Sequence, residues 1–303
     1  MRESIEGFLT YLTAEKGFSK NTEEAYRNDL CQLEKFVEED CSKRGTIPGW
    51  ETFGRQEMLS YMLNLKEKSY ASTTLARKVA AAKSFFRFLT EEQKIRQNPT
   101  ENIASQKVGR ALPRPISESQ ARRLLDEPSK HTTPEAKRDK AMLELLYASG
   151  MRVSELVALD VSDVDISGGS VRCLGKGSKE RLIPIYPRAA QCVRVWVSEA
   201  RPKIVQNRTD EKALFLNVRG ERLTRQGLWQ ILKGYVKAAK IDAAVTPHTL
   251  RHSYATHMLN GGADLRTVQE LLGHANISTT QVYTHLTSEH VRDTYEKSHP
   301  RAK

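Results

Sequence analysis

The stretch SQKVGRALPRPISES, residues 105–119, constrains the fold of this chain more than any other. Two prolines, a glycine and three basic residues stand there without an apolar period, so the segment reads as a linker rather than a helix or strand. The hydrophobic pattern differs on its two sides. The chain therefore divides into residues 1–107, a linker at 108–116, and residues 117–303. With 303 residues there is length enough for each part to bury its own core.

Before the linker every pattern is helical. Ile5, Phe8, Leu9 and Leu12 form one apolar stripe. A start signal in Ser19-Lys-Asn-Thr precedes a second, Tyr26, Leu30, Leu33, Phe36 and Val37. Met58, Tyr61, Met62 and Leu65 mark a third, and Leu75, Val79, Ala82, Phe86 and Leu89 a fourth. Such spacing predicts four amphipathic helices in a small bundle. The fourth also carries Arg77, Lys78, Lys83 and Arg87, which suit either a solvated face or a DNA contact. After the linker, a helix through Ala141, Met142, Leu145 and Leu146 stops at Gly150, and a short one follows from Ser154. SVRCLGKGSKERLIPI, residues 170–185, places two β-type runs around a glycine-rich turn, which predicts a hairpin. Helical patterns then continue. The fold class is mainly α with a small β-sheet.

Charge narrows the partners. Lys and Arg number 48 against 37 Asp and Glu, a formal charge of +11, and this favours a polyanion such as nucleic acid. The opening MRESIEGFLTYL is charged throughout, which excludes a secretory signal, and no apolar run is long enough for a bilayer. A cytoplasmic protein without a membrane partner is expected. Cys31, Cys41, Cys173 and Cys192 are scattered with no C-x-x-C pair. They read as reduced, buried thiols rather than disulfides or zinc ligands.

Chemistry concentrates in four stretches. In VTPHTLRHSYATHMLNGG, residues 245–262, Thr246 is a fitting N-cap and Pro247 a fitting first helical residue. His248 and Arg251 then share one face beside free N–H groups and the positive end of the helix dipole, an arrangement suited to phosphate. His248 and His252, at i and i+4, also have the spacing of a metal pair, but no acidic general base accompanies them. A plain polar helix end is the third reading. In YASGMRVSEL, residues 147–156, Arg152 is either a carbonyl cap or a second guanidinium for the same anion. GKGSKER, residues 175–181, fails the Walker pattern, and Lys176 at its tip is either solvated or a proton donor to a leaving oxygen. In LLGHANISTTQVYTHL, residues 271–286, Gly273 closes a helix, His274 follows, and Tyr283 is one of ten tyrosines.

Taken in order, GMRVSEL, GKGSKER, HTLRH, LLGH and STTQVYTH resemble the tyrosine recombinases, with the likeness greatest to the Xer-type group. It spans essentially the whole chain, from FLTYLTAEKGFSKNTEEAYRNDL to the terminal HPRA. This resemblance implies an N-terminal four-helix, SAM-like core-binding domain and a mixed α/β catalytic domain. It implies Tyr283 as nucleophile, Arg152 and Arg251 on the non-bridging oxygens, Lys176 as acid, His248 as base and His274 as a hydrogen-bond donor. Neither metal nor ATP is then required, because a covalent intermediate conserves the energy of the broken bond. Arg77, Lys78, Lys83, Arg225 and Gln226 are the expected DNA contacts. The implied partners are double-stranded DNA with a specific site, a homo- or hetero-tetramer on two duplexes, and a DNA translocase as activator. The tail after Tyr283 is expected to dock onto a neighbouring subunit. The short N-terminal region, without an extra arm-binding domain, leans towards resolution of chromosome or plasmid dimers. An integrase of a mobile element, a type IB topoisomerase-like enzyme, a metal-dependent phosphohydrolase and a DNA-binding protein without strand transfer are the alternatives.

Overall fold

In the computed structural model the described residues are 1–68, 70–103, 115–174, 180–205, 211–273 and 288–302. The chain divides into two compact units, Met1–Ala111 and Leu112–Lys303. The predicted linker thus straddles the boundary, and most of it lies outside the described residues.

The first unit is built on four helices, α1 (Arg2–Ala14), α2 (Lys20–Arg44), α3 (Arg55–Glu67) and α4 (Ser72–Glu91). Ser19 caps α2 by accepting from the Thr22 N–H, and Gly45 ends it in the left-handed conformation at φ +68°. Both devices satisfy groups that a helix end leaves without partners. The apolar stripes meet in one core, where Trp50, Phe53, Phe85 and Phe86 pack edge-on and stacked. Burying each such ring contributes about 1.5–3 kcal/mol.

The second unit begins with α5 (Glu118–Asp126), α6 (Pro134–Ser149) and α7 (Val153–Ala158). A three-stranded antiparallel sheet follows: β1 (Val164–Asp165), β2 (Ser170–Leu174) and β3 (Glu180–Pro184), in that spatial order. Val171 lies opposite Ile183 and Cys173 opposite Arg181, so Val171, Cys173 and Ile183 turn into the core while Arg172, Leu174 and Leu182 face out. The hairpin matches the sequence reading, and β1 adds a strand too short to show any alternation. Then come α8 (Pro187–Val195), a π-helical turn at Trp196–Ala200, α9 (Arg201–Val205), α10 (Arg225–Ala238), α11 (Pro247–Asn260), α12 (Leu265–Leu272) and α13 (Ser288–Ser298). Helix α6 is almost wholly buried and forms the axis around which the others pack.

One expectation changes: Cys173 alone among the thiols is buried, and Cys31, Cys41 and Cys192 are half-buried. In this single chain the described residues of the tail pack on their own unit. The Tyr295 hydroxyl donates to the Ala148 carbonyl at 3.0 Å. His299 is fully buried between the rings of Tyr147, Tyr186 and Tyr295, and burial pushes its pKa down to about 3. Arg301 reaches Glu144 at 2.9 Å. Tail residues with this much ring and charge complementarity at hand have an internal seat. No helix of the described residues is long and apolar enough to cross a membrane.

Candidate active site

The site grows from a helix break. Helix α6 ends at Gly150, which stands at φ +57°, and a Cβ there would come within 2.3 Å of the Tyr254 ring. Only glycine meets both demands without strain. The chain then turns through Met151 into Arg152, the N-cap of α7. Glu155 on the first turn of α7 accepts from the Arg152 N–H at 2.7 Å and from the Arg152 guanidinium at 3.0 Å. This capping box fixes where the Arg152 side chain leaves the backbone. Its side chain remains 41% exposed.

Helix α11 begins as predicted, with Thr246 accepting from the Thr249 N–H and Pro247 in the first turn. His248 in that turn is exposed. Arg251, one turn on, is half-buried and donates to the Gly150 carbonyl at 2.6 Å and the Leu272 carbonyl at 2.7 Å. It therefore ties the helix break to the end of α12. Burial first, then the nearby charge of Arg152, lowers its pKa to about 10, while Glu155 acts the other way. Arg251 stays protonated at neutral pH, in a place that disfavours further cations.

Arg181 on β3 completes the cluster. It donates to both oxygens of Glu155, at 3.2 and 2.8 Å, and to the Leu271 carbonyl at 3.2 Å. Burial alone would raise the Glu155 carboxyl, but Arg181 and the Arg152 N–H bring it below the ordinary carboxylate range. Two guanidiniums thus cap the last carbonyls of α12, the negative end of its dipole. Gly273, at φ +65°, lets the chain leave beside them, since a Cβ there would sit 2.9 Å from Arg181 Nη1. Glu155 pairs with Arg152 and Arg181, with Arg251 near, so this cluster of three guanidiniums and one carboxylate has two positive charges in excess. Its natural complement is a doubly coordinated anion.

Of the six catalytic positions expected from the sequence, Arg152 is the N-cap of α7, His248 and Arg251 lie on α11, and Arg152 and Arg251 fall in one cluster. Lys176, His274 and Tyr283 lie outside the described residues. Glu155 and Arg181 were not singled out from sequence, although GMRVSEL and GKGSKER contain them. The available signal was Glu155 three residues after Arg152, the spacing of a capping box. The histidine pair of the metal reading, His248 and His252, is exposed on α11, and no three candidate ligands gather among the described residues. The further histidine of this helix, His257, is structural: it bonds the Tyr147 hydroxyl at 2.7 Å and the Ile116 carbonyl at 2.9 Å.

The expected DNA contacts separate. Arg225 and Gln226 are exposed on the first turn of α10. On α4, Arg77 bonds Asp29 and the Ala25 carbonyl yet stays 43% exposed. Lys83 donates to the Ile103 carbonyl at 2.7 Å. Lys78 corrects the expectation: its side chain is 8% exposed, with the ammonium on Asp29 at 2.9 Å and on Gln32 at 2.5 Å. A cation held inside by two acceptors is not presented to a phosphate.

Residues 114–290 match the phage integrase family, and residues 5–93 match the phage integrase N-terminal SAM-like domain. The chain is 53% identical to tyrosine recombinase XerC of Herpetosiphon aurantiacus over 95% of this chain and 92% of that protein. It is 45% identical to tyrosine recombinase XerD of Oceanobacillus iheyensis over 99% of both. In fold it resembles the XerH site-specific recombinase bound to difH substrate, at TM-score 0.67 and 21% identity, covering 96% of this chain and 93% of that one. A helix break, a capped arginine and a second arginine tied across it are thus set in the sequence and fold of one lineage, and the chain belongs to the phage integrase family as a tyrosine recombinase of the Xer type.

Proposed function

We propose that this chain recombines double-stranded DNA at a specific site through a 3′-phosphotyrosyl intermediate. The Tyr283 oxygen attacks the scissile phosphorus, the bond to the 5′-oxygen breaks, and Lys176 supplies the proton that makes a 5′-hydroxyl. Arg152 and Arg251 neutralise the non-bridging oxygens, His248 takes the tyrosine proton, and His274 adds a hydrogen bond. A 5′-hydroxyl from the second duplex then attacks the phosphotyrosine and restores the backbone. The observation that supports this most is the excess charge where Arg152 and Arg251 meet, beside an exposed His248. Two guanidiniums can take the role a divalent ion plays elsewhere in phosphoryl chemistry. Glu155 and Arg181 act through them, as positioning residues.

Four protomers, identical or of two kinds, hold two duplexes in this reading, with Arg77, Lys83, Arg225 and Gln226 on DNA. The process served is resolution of chromosome or plasmid dimers in the cytoplasm, under control of a DNA translocase. A nicked duplex carrying a candidate site, incubated with EDTA, tests the chemistry. Wild type is expected to give a covalent protein–DNA band and Tyr283→Phe none. A band from Tyr283→Phe overturns the assignment of the nucleophile.

A further inference from the structure

Helix α7 has six residues, about 9 Å of axis, too few to be stable by itself. Arg152 stands at its start, so where that guanidinium points depends on how α7 lies. Leu156 is its one fully buried residue, with Val153 and Val157 half-buried beside it. A single apolar pin leaves a short helix free to pivot. The Glu155 contacts hold its first turn, and its last turn is held from elsewhere, by Arg222. Nη1 of Arg222 donates to the carbonyls of Val157, Ala158 and Leu159 at 3.2, 2.8 and 3.0 Å, and Nη2 pairs with Asp160. A helix leaves its last carbonyls without partners and its C-terminus negative, and one guanidinium answers both. Arg222 is itself fixed. Its backbone bridges to Leu216, and the next N–H donates to the Phe215 carbonyl at 2.9 Å. That facing segment is held in turn by Trp196 on the Leu214 carbonyl and Arg138 on the Leu216 carbonyl. Two residues beyond Arg222, Thr224 caps α10 by accepting from the Gly227 N–H at 3.0 Å.

We propose that Arg222 is a positioning residue for strand cleavage: it acts through α7 on Arg152 and sets that guanidinium at a fixed distance from the start of α10. The proposal rests on the recombinase reading above, in which Arg152 holds the scissile phosphate and the first turn of α10 lies on the duplex. Arg251 supplies the contrast. Its anchors are the carbonyls of Gly150 and Leu272, and neither belongs to α7. A pivot of α7 therefore moves one of the two phosphate-holding guanidiniums and spares the other. A phosphate gripped by two forks needs both in place, and a misplacement of about 1 Å can lower a rate about a hundredfold.

The test is single-turnover adduct formation by the full chain on a nicked duplex, with Arg222→Ala placed in three backgrounds: wild type, Arg152→Lys and Arg251→Lys. Each protein is assayed below its melting range. In the wild-type background Arg222→Ala should lower the rate about tenfold to a hundredfold, while duplex affinity holds. In Arg152→Lys no fork remains to be aimed, and the same change should lower the rate little further. In Arg251→Lys the full loss should persist, because coupling of this kind is confined to residues that act together. Arg222→Lys should recover only part of the rate, since an ammonium lacks the planar fork that meets three carbonyls and Asp160. It takes the place of the alanine variant if that variant does not fold. Equal losses in all three backgrounds, or none in any, overturn the proposal while leaving DNA recombination intact. A wild-type chain that forms no covalent adduct overturns the functional reading, and this proposal with it.

Discussion

Each unit of this protein holds a carboxylate shared among cations, and the two clusters are alike in residue type. In the N-terminal unit Asp29 serves Lys78 and Arg77; in the second unit Glu155 serves Arg152 and Arg181, with Arg251 near. The difference lies in closure and balance. The Asp29 and Lys78 side chains are 2% and 8% exposed, and Gln32 takes up part of what remains. Around Glu155 three guanidiniums crowd one carboxylate, Arg152 opens to solvent, and main-chain carbonyls hold the others in place. The first cluster leaves one positive charge over, on the exposed Arg77, and the second leaves two. Residue type alone does not separate the two clusters; closure and the charge left over do.

This contrast can be broken by mutation. Asp29→Ala leaves the Lys78 ammonium buried without its counter-ion and should cost about 3–5 kcal/mol of stability, read as a lower denaturation midpoint, with covalent adduct formation unchanged in the molecules that remain folded. An adduct rate falling further than the folded fraction would show that the N-terminal cluster is not merely structural. Arg251→Ala should do the reverse, costing about 3–4 kcal/mol of barrier, a hundredfold to a thousandfold in adduct rate on a nicked duplex.

Glu155→Gln sharpens the comparison through pH. The folded carboxyl sits below its ordinary value of 4.5, so the stability it contributes is complete above that value and is lost as pH falls through the folded pKa. Acid unfolding of wild type should therefore show a component below about pH 4.5 that Glu155→Gln lacks. Parallel acid curves would mean that the carboxylate does not organise the three arginines. The smallest effect belongs to Arg77→Gln, whose exposed ion pair should be worth less than about 1 kcal/mol. If its loss weakens DNA binding while the melting point holds, the exposed guanidinium serves the ligand rather than Asp29.

What the sequence made legible follows from the range of the interactions. Ser19, Thr246, Gly150 and Gly273 announce helix ends because caps act within four residues, and all four stand at the ends expected. The hairpin was visible because its two runs alternate, but Val164–Asp165 is too short for a period. The interior position of Lys78 was not readable, since its partner Asp29 lies on another helix and α4 has cations on either side of its apolar stripe. Arg181 was missed for the same reason: Glu155 is distant in sequence and on a different element. Local signals placed the arginines; only the tertiary fold revealed what holds them.

The seat of the chain's last turns also sets a schedule for biosynthesis. Tyr295 bonds the carbonyl of Ala148, two residues before the Gly150 break, and His299 fills a ring-lined space against Tyr147. A ribosome delivers roughly 5–20 residues per second, so the arginine-bearing turn emerges many seconds before the residues that brace it. The N-terminal bundle, built from neighbouring helices, can close while translation continues. The second unit must wait with an open seam beside α6 until residues 295–301 emerge, and in that interval a nascent chain exposes apolar surface but has no finished site with which to grip DNA.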